Sequence, residues 1–209
     1  MRARLALVFV VLAACELDVG DLFDTSDTSE PDDTDTETPL PYHYVRILDL
    51  SDGGSGASAG ADIDAASLTE MVSDDTANDT TEYETSYVAE VAMYSPTADA
   101  TGDPTKVLGE PDASDVSTCT ETGWSVSLGG IGGEIILRFE SAIDEGDTLR
   151  IFEVGDCVDI HSEPVRTESL EVQVGTSADP TGTWVTIASN TTEAVSVLLV
   201  PALPEVYSR

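Results

Sequence analysis

Four carboxylates bracket one short glycine-rich stretch of this chain. Asp49 and Asp52 stand at the start of the loop Ser51 to Gly60, and Asp62 and Asp64 follow it. Calcium takes six to eight oxygens from carboxylates and backbone carbonyls on flexible loops, so this arrangement is a candidate Ca²⁺ site. Asp62 and Asp64 are two apart, which puts both on one face if the segment is a strand. The competing reading is ordinary solvated aspartate, with one residue closing an Asx turn. Glu153, Asp156 and Asp112 are weaker candidates of the same kind. His43 and His161 are the only imidazoles. A Ser-His-Asp or Cys-His device needs a positioned base, and nothing around either histidine marks a nucleophile elbow. No catalytic residue is assigned. Paired carboxylates for glycoside hydrolysis carry no signal in so acidic a chain, which leaves a glycan hydrolase as the most distant reading. Trp124, Trp184 and the tyrosines are candidates for a sugar-stacking platform, set against ordinary packing.

The elements that must position these groups read as short strands. Tyr44 to Leu50 is rich in β-formers, and Ala61 to Leu68 follows the glycine-rich loop. Thr69 to Thr85 is acidic and polar and is expected to be a linker or long surface loop. Tyr87 to Tyr94 reads as one strand. Trp124 to Leu128 and Glu134 to Glu140 flank Gly129-Gly130-Ile131-Gly132-Gly133, whose glycines suit a hairpin turn. Within 134–140, Ile135, Leu137 and Phe139 alternate with polar neighbours. Leu149 to Val154, Leu170 to Val174, Trp184 to Ala188 and Val195 to Val200 complete the set. No sustained helical periodicity appears. The expectation is all-β: an antiparallel jelly-roll β-sandwich over residues 42–209, with a polar loop at about 69–85.

Charge excludes one class of partner. The chain has 8 Lys+Arg against 41 Asp+Glu, a formal charge of −33. Nucleic-acid affinity comes from basic residues neutralising phosphates, so a nucleic-acid partner is excluded. High negative charge favours solubility and opposes non-specific association.

The N-terminus gives an address. Met1-Arg2-Ala3-Arg4 is basic, Leu5 to Leu12 is apolar, and Ala13-Ala14-Cys15 follows. That order is an export signal, too short to span a bilayer. Leu12-Ala13-Ala14-Cys15 resembles the lipobox of bacterial lipoproteins. The resemblance implies cleavage after residue 14 and acylation of Cys15, palmitate-type chains holding the protein to a lipid membrane. Loss of Arg2 and Arg4 with the signal leaves six basic residues and a side-chain charge of −35. Residues 15–41 comprise Cys15 and a tether rich in Asp, Glu, Thr, Ser and Pro that cannot bury enough apolar area to order itself. As a flexible coil it spans about 25–30 Å, more with self-repulsion. Glu16 is not the aspartate that retains some lipoproteins at the inner membrane, so the outer membrane or cell surface is expected. With Cys15 lipidated, Cys119 and Cys157 remain, and in an exported protein they are read as a disulfide. Free thiols are the competitor. No CxxC spacing supports zinc.

Further motifs carry a second resemblance. Val107-Leu108-Gly109-Glu110-Pro111-Asp112-Ala113, Val126 to Gly130, Gly132 to Phe139 and Ile151 to Gly155 occur in that order. With Tyr44 to Leu50 and Gly60 to Ala65, they resemble bacterial secreted and cell-surface domains of the galactose-binding-like jelly-roll fold. In that class the "YVRI…DIDA" segment usually ends the domain, whereas here it comes first. Two arrangements follow: the segment supplies strands to the later sandwich, or it is the remnant of a separate repeat. The first is expected. The resemblance implies carbohydrate or another surface ligand as partner, structural calcium as the one conceivable cofactor, and no enzymatic activity. A structural or interaction lipoprotein with no small-molecule site is the alternative.

Overall fold

The computed structural model describes residues 37–52, 60–75, 80–97, 100, 102–111, 125–153, 168–192 and 195–207. The described residues belong to one compact unit, Glu37–Arg209. Its strands are β1 (Tyr44–Asp49), β2 (Asp62–Asp75), β3 (Thr80–Tyr87), β4 (Glu90–Ser95), β5 (Val126–Ser127), β6 (Glu134–Arg138), β7 (Thr148–Glu153), β8 (Leu170–Gly175), β9 (Trp184–Thr191) and β10 (Val195–Leu199). A 3-10 turn, Pro104–Val107, lies between β4 and β5. Sheet A has the order β4-β6-β1-β8-β9, and sheet B the order β10-β7-β2-β3 with β5 also paired to β2. All pairings are antiparallel. The protein is an all-β sandwich of these two sheets.

Alternation builds the core. Val45 and Ile47 on β1, Ile135 and Leu137 on β6, and Val172 and Val174 on β8 face inward from sheet A. Ile63, Ala66 and Leu68 on β2 and Leu149 and Ile151 on β7 meet them from sheet B. Each fully buried branched side chain contributes about 1.5–3 kcal/mol. Phe139, just beyond β6, joins the same cluster.

The 42–68 segment completes the sandwich. β1 lies between β6 and β8, with Arg46 opposite Ile136 on one side and Gln173 on the other. β2 lies between β7 and β3. One early segment thus gives a central strand to each sheet.

Three local expectations differ from the structure. The polar stretch 69–85 is not a loop: Thr69 to Asp75 extend β2, and most of the rest forms β3, with Thr69 opposite Thr85 and Met71 opposite Tyr83. Its hydropathy does not alternate, so the period-two signal is missing. Its threonines and tyrosine carry the strand propensity instead, and Thr69 Oγ1 lies 3.0 Å from Thr85 Oγ1. Tyr87 to Tyr94 is not one strand. The chain crosses between sheets at Val88 and Ala89, whose N–H groups donate to Ala66 O of sheet B and Arg138 O of sheet A. The turn at 129–133 does not close a hairpin either. It joins β5 in sheet B to β6 in sheet A, with Gly129, Gly130 and Gly132 all at positive φ.

Candidate functional site

The outer face of sheet A presents side chains in rows set by strand register. One row runs Trp184–Gly175–Tyr44–Arg138–Glu90 from β9 to β4. The next runs Thr186–Gln173–Arg46–Ile136–Met93, and the third Ser189–Glu171–Leu48–Glu134–Ser95. Ile136 is fully buried yet outside the core cluster, so it is covered from this outer side.

Trp184 organises this face. Gly175 leaves room for it: a Cβ there would lie 2.7 Å from the indole ring. The indole N–H donates to Asp179 O at 3.0 Å, fixing the ring to the β8–β9 turn. The Arg46 guanidinium carbon sits 5.8 Å from the ring centroid, within cation–π range. Arg46 Nε donates to Glu134 Oε2 at 2.6 Å, and its Nη2 closes the ion pair. Its Nη1 reaches Pro180 O at 3.3 Å. Gln173 Nε2 donates to Glu171 Oε1 at 2.6 Å, and Thr186 stands 3.4 Å from the same oxygen. The result is a half-buried indole beside planar polar side chains whose orientations are already fixed.

The outer face of sheet B is different in kind. Its rows are Val195–Phe152–Ala65, then Val197–Arg150–Ser67–Tyr87, then Leu199–Thr148–Thr69–Thr85, then Met71–Tyr83, beyond which the β2–β3 ladder runs on through Ser73–Glu82, Asp74–Thr81 and Asp75–Thr80. Arg150 is the charged residue of the first four rows, and its Nη1 donates to Thr69 Oγ1 at 2.8 Å. Leu199 is 70% exposed, Tyr83 67%, Met71 59% and Val197 57%.

Beside the far end of β2 and β3 lies a cleft of about 420 Å³. It is lined by Glu70, Met71, Tyr83, Glu84 and Asp144 to Asp147. Burial raises the Glu70 carboxyl above its ordinary range; Asp147, Glu84 and Asp144 add to this, and a Ser141 hydrogen bond opposes it. Burial also raises Asp147, whose Oδ2 accepts the Asp144 N–H at 2.8 Å.

The sequence-predicted calcium residues do not converge. Among the described residues, no group of three or more His, Cys, Asp or Glu side chains could hold a metal ion. Asp49 has another task. It is 1% exposed. Its Oδ1 accepts the Ser51 N–H at 2.9 Å and the Ser51 hydroxyl. Its Oδ2 accepts the Ala61 N–H at 2.7 Å and the Gly130 N–H at 2.8 Å. This is the Asx turn that competed with the metal reading, extended into a clasp holding the 50–60 loop and the 129–133 turn. Asp52 is exposed. Asp62 and Asp64 are buried. Glu153 Oε1 accepts the Asp62 N–H at 3.4 Å. The β2–β7 register shifts between Ile63 and Ala65, which makes Asp64 the extra residue of a bulge and breaks the simple two-residue period. His43 is half-buried and donates from Nδ1 to Ser141 O at 2.9 Å. Cys15, Cys119, Cys157, Asp112, Trp124, Asp156 and His161 lie outside the described residues.

No protein-family model matches this chain, and no characterised protein or solved structure is significantly similar to it.

Both faces contain residues that the sequence reading did not single out. Arg46 and Gln173 sit at outward positions of strands read for their inward apolar residues. Alternation marks such positions, but the partners that bring Arg46 to Glu134 and Gln173 are 88 and 127 residues away. On sheet B, Val195, Val197 and Leu199 were counted only as a final strand, and their outward side was not distinguished.

Proposed function

We propose that this is a non-catalytic, lipid-anchored bacterial surface protein whose galactose-binding-like jelly-roll domain binds carbohydrate on the outer face of sheet A. Cys15 carries the acyl anchor at the outer membrane, residues 16–41 form the acidic tether, and Cys119 pairs with Cys157. The observation that carries the ligand reading is the Trp184 ring laid across Gly175 beside Arg46, Gln173, Glu171 and Glu134. Sugars present an apolar C–H face and a rim of hydroxyls. An indole takes the first, and fixed planar donors and acceptors take the second. Because the polar groups are held by one another, little side-chain entropy remains to be lost on binding.

A glycan array probed with the full chain in mild detergent tests the ligand. Saturable binding to a defined glycan is expected, lost in Trp184→Ala while the far-ultraviolet circular dichroism stays unchanged. Absence of glycan binding, or binding indifferent to Trp184→Ala, overturns the reading. The anchor is tested separately by metabolic labelling with palmitate: wild type incorporates label and Cys15→Ser does not.

A further inference from the structure

Two parallel rows cross the same three strands on the outer face of sheet A. Trp184, Gly175 and Tyr44 form the first, on β9, β8 and β1. Two residues along each strand, about 6.8 Å away, Thr186, Gln173 and Arg46 form the second. Trp184 and Tyr44 are thus ring-bearing positions two strands apart, their backbones separated by about 9.5 Å. The indole lies over Gly175, the position between them. We infer that this face takes an extended, neutral, diequatorially linked glycan laid across the strands. Tyr44 is the platform for the sugar next to the one on Trp184. This inference rests on the carbohydrate reading of the same face.

Shape selects a chain over a single sugar. Sites for small ligands are concave and bury most of the ligand. The clefts of about 420 and 450 Å³ are lined by other residues, whereas the two rows stand on a pleated sheet face. One sugar here would touch one platform and keep its other side in water. A second unit adds stacked area on Tyr44 without any enclosing wall. The row also continues past Tyr44 to Arg138 and Glu90, which are paired at 3.7 Å.

Stereochemistry and charge select the class. A sugar ring with equatorial substituents carries C–H groups on both faces and hydroxyls only around its rim. Diequatorial links keep successive rings in one straight ribbon, so platforms in a row meet successive rings. An axially linked chain curls away from a flat row. The rim hydroxyls of the ribbon run beside the second row, where Gln173 is oriented by Glu171 and Arg46 by Glu134. A molecule of formal charge −33 repels acidic sugars, so the units are neutral.

Isothermal titration of the full chain, in a detergent without a sugar head group, tests this. The probes are glucose, cellobiose, cellotriose and cellotetraose, the corresponding chitooligosaccharides, and maltotetraose as the curled control. In one diequatorial series the affinity should rise by about tenfold or more from the single unit to the longer chains. Maltotetraose should bind more weakly than the diequatorial tetramer. Tyr44→Val removes the ring and keeps a strand-favouring side chain. It should abolish the gain with length while the circular dichroism stays unchanged, and Tyr44→Phe should keep the gain. Trp184→Ala should remove binding at every length. Affinity independent of length, a gain that survives Tyr44→Val or is lost in Tyr44→Phe, or maltotetraose binding as tightly as cellotetraose overturns the inference. Trp184-dependent binding confined to other glycans also overturns it and leaves the carbohydrate reading standing. Absence of any glycan binding overturns both.

Discussion

The two outer faces are built on the same antiparallel pleat and differ in what they leave unsatisfied. On sheet A, Arg46 is bound by Glu134 and Pro180 O, and Gln173 by Glu171. Its large aromatic is seated on a glycine and tied by its indole N–H. On sheet B, most row members are apolar or hydroxylic, and several stand more than half exposed. A self-satisfied polar face suits a polar ligand that substitutes one hydrogen bond for another. The lesson is that the distribution of charge discriminates better than its amount.

The comparison can be broken most drastically at the clasp beneath both faces. Asp49→Ala leaves the Ala61 and Gly130 N–H groups without their acceptor, and buried unpaired donors cost about 1–3 kcal/mol each. A loss of about 3–5 kcal/mol in urea unfolding is expected, with glycan binding falling as well. Binding retained at full strength would mean that the sheet A face does not depend on the clasp.

A smaller, one-sided effect is expected from Gly175→Ala. The added Cβ meets the Trp184 ring at 2.7 Å, so the indole must shift. Overpacking of this kind costs about 1–3 kcal/mol. Glycan binding should fall by tenfold or more, on the order of 1.4 kcal/mol. Unchanged binding would remove the Gly175 seat of Trp184 from the account.

The smallest effect concerns the acidic cleft at the end of sheet B. The Glu70 carboxyl is raised in the folded state, so the fold binds its proton more tightly than the unfolded chain does. Stability from this group is full below the ordinary carboxylate range and is lost as pH rises through the raised value. Glu70→Gln should therefore raise the melting temperature at neutral pH by a few degrees at most, solvent screening at this partly exposed cleft keeping the effect small, and flatten its rise on mild acidification. Thermal melts across pH would show this. An unchanged slope would remove Glu70 from the account.

Much of the sandwich was legible because alternation is local. Ile135, Leu137, Val172 and Val174 face the core as their spacing requires. The extended ribbon of β2 and β3 was not, since its sequence lacks the apolar alternation that marks the other strands. The turn at 129–133 carried the right glycines for positive φ but no mark of which sheet each arm would enter. The candidate site was least legible. Asp49 looked like a cation ligand because four carboxylates flanked a loop. Only the fold shows that backbone N–H groups from residues 51, 61 and 130 fill its oxygens. Sequence proximity gathered the wrong partners, and the right ones come from a distant turn.

The position of β1 at the centre of sheet A has a consequence for when this protein acquires its shape. β1 is the first of the described strands along the chain, yet both neighbours, β6 and β8, follow much later. Tyr42, just ahead of it, donates its hydroxyl to Pro204 O across 162 residues. Contacts so distant in sequence make folding slow, because loop closure must precede any gain from pairing. A nascent chain lacking its last third has no β8 to set beside β1. Sheet A therefore cannot close around β1 until β8 has been made.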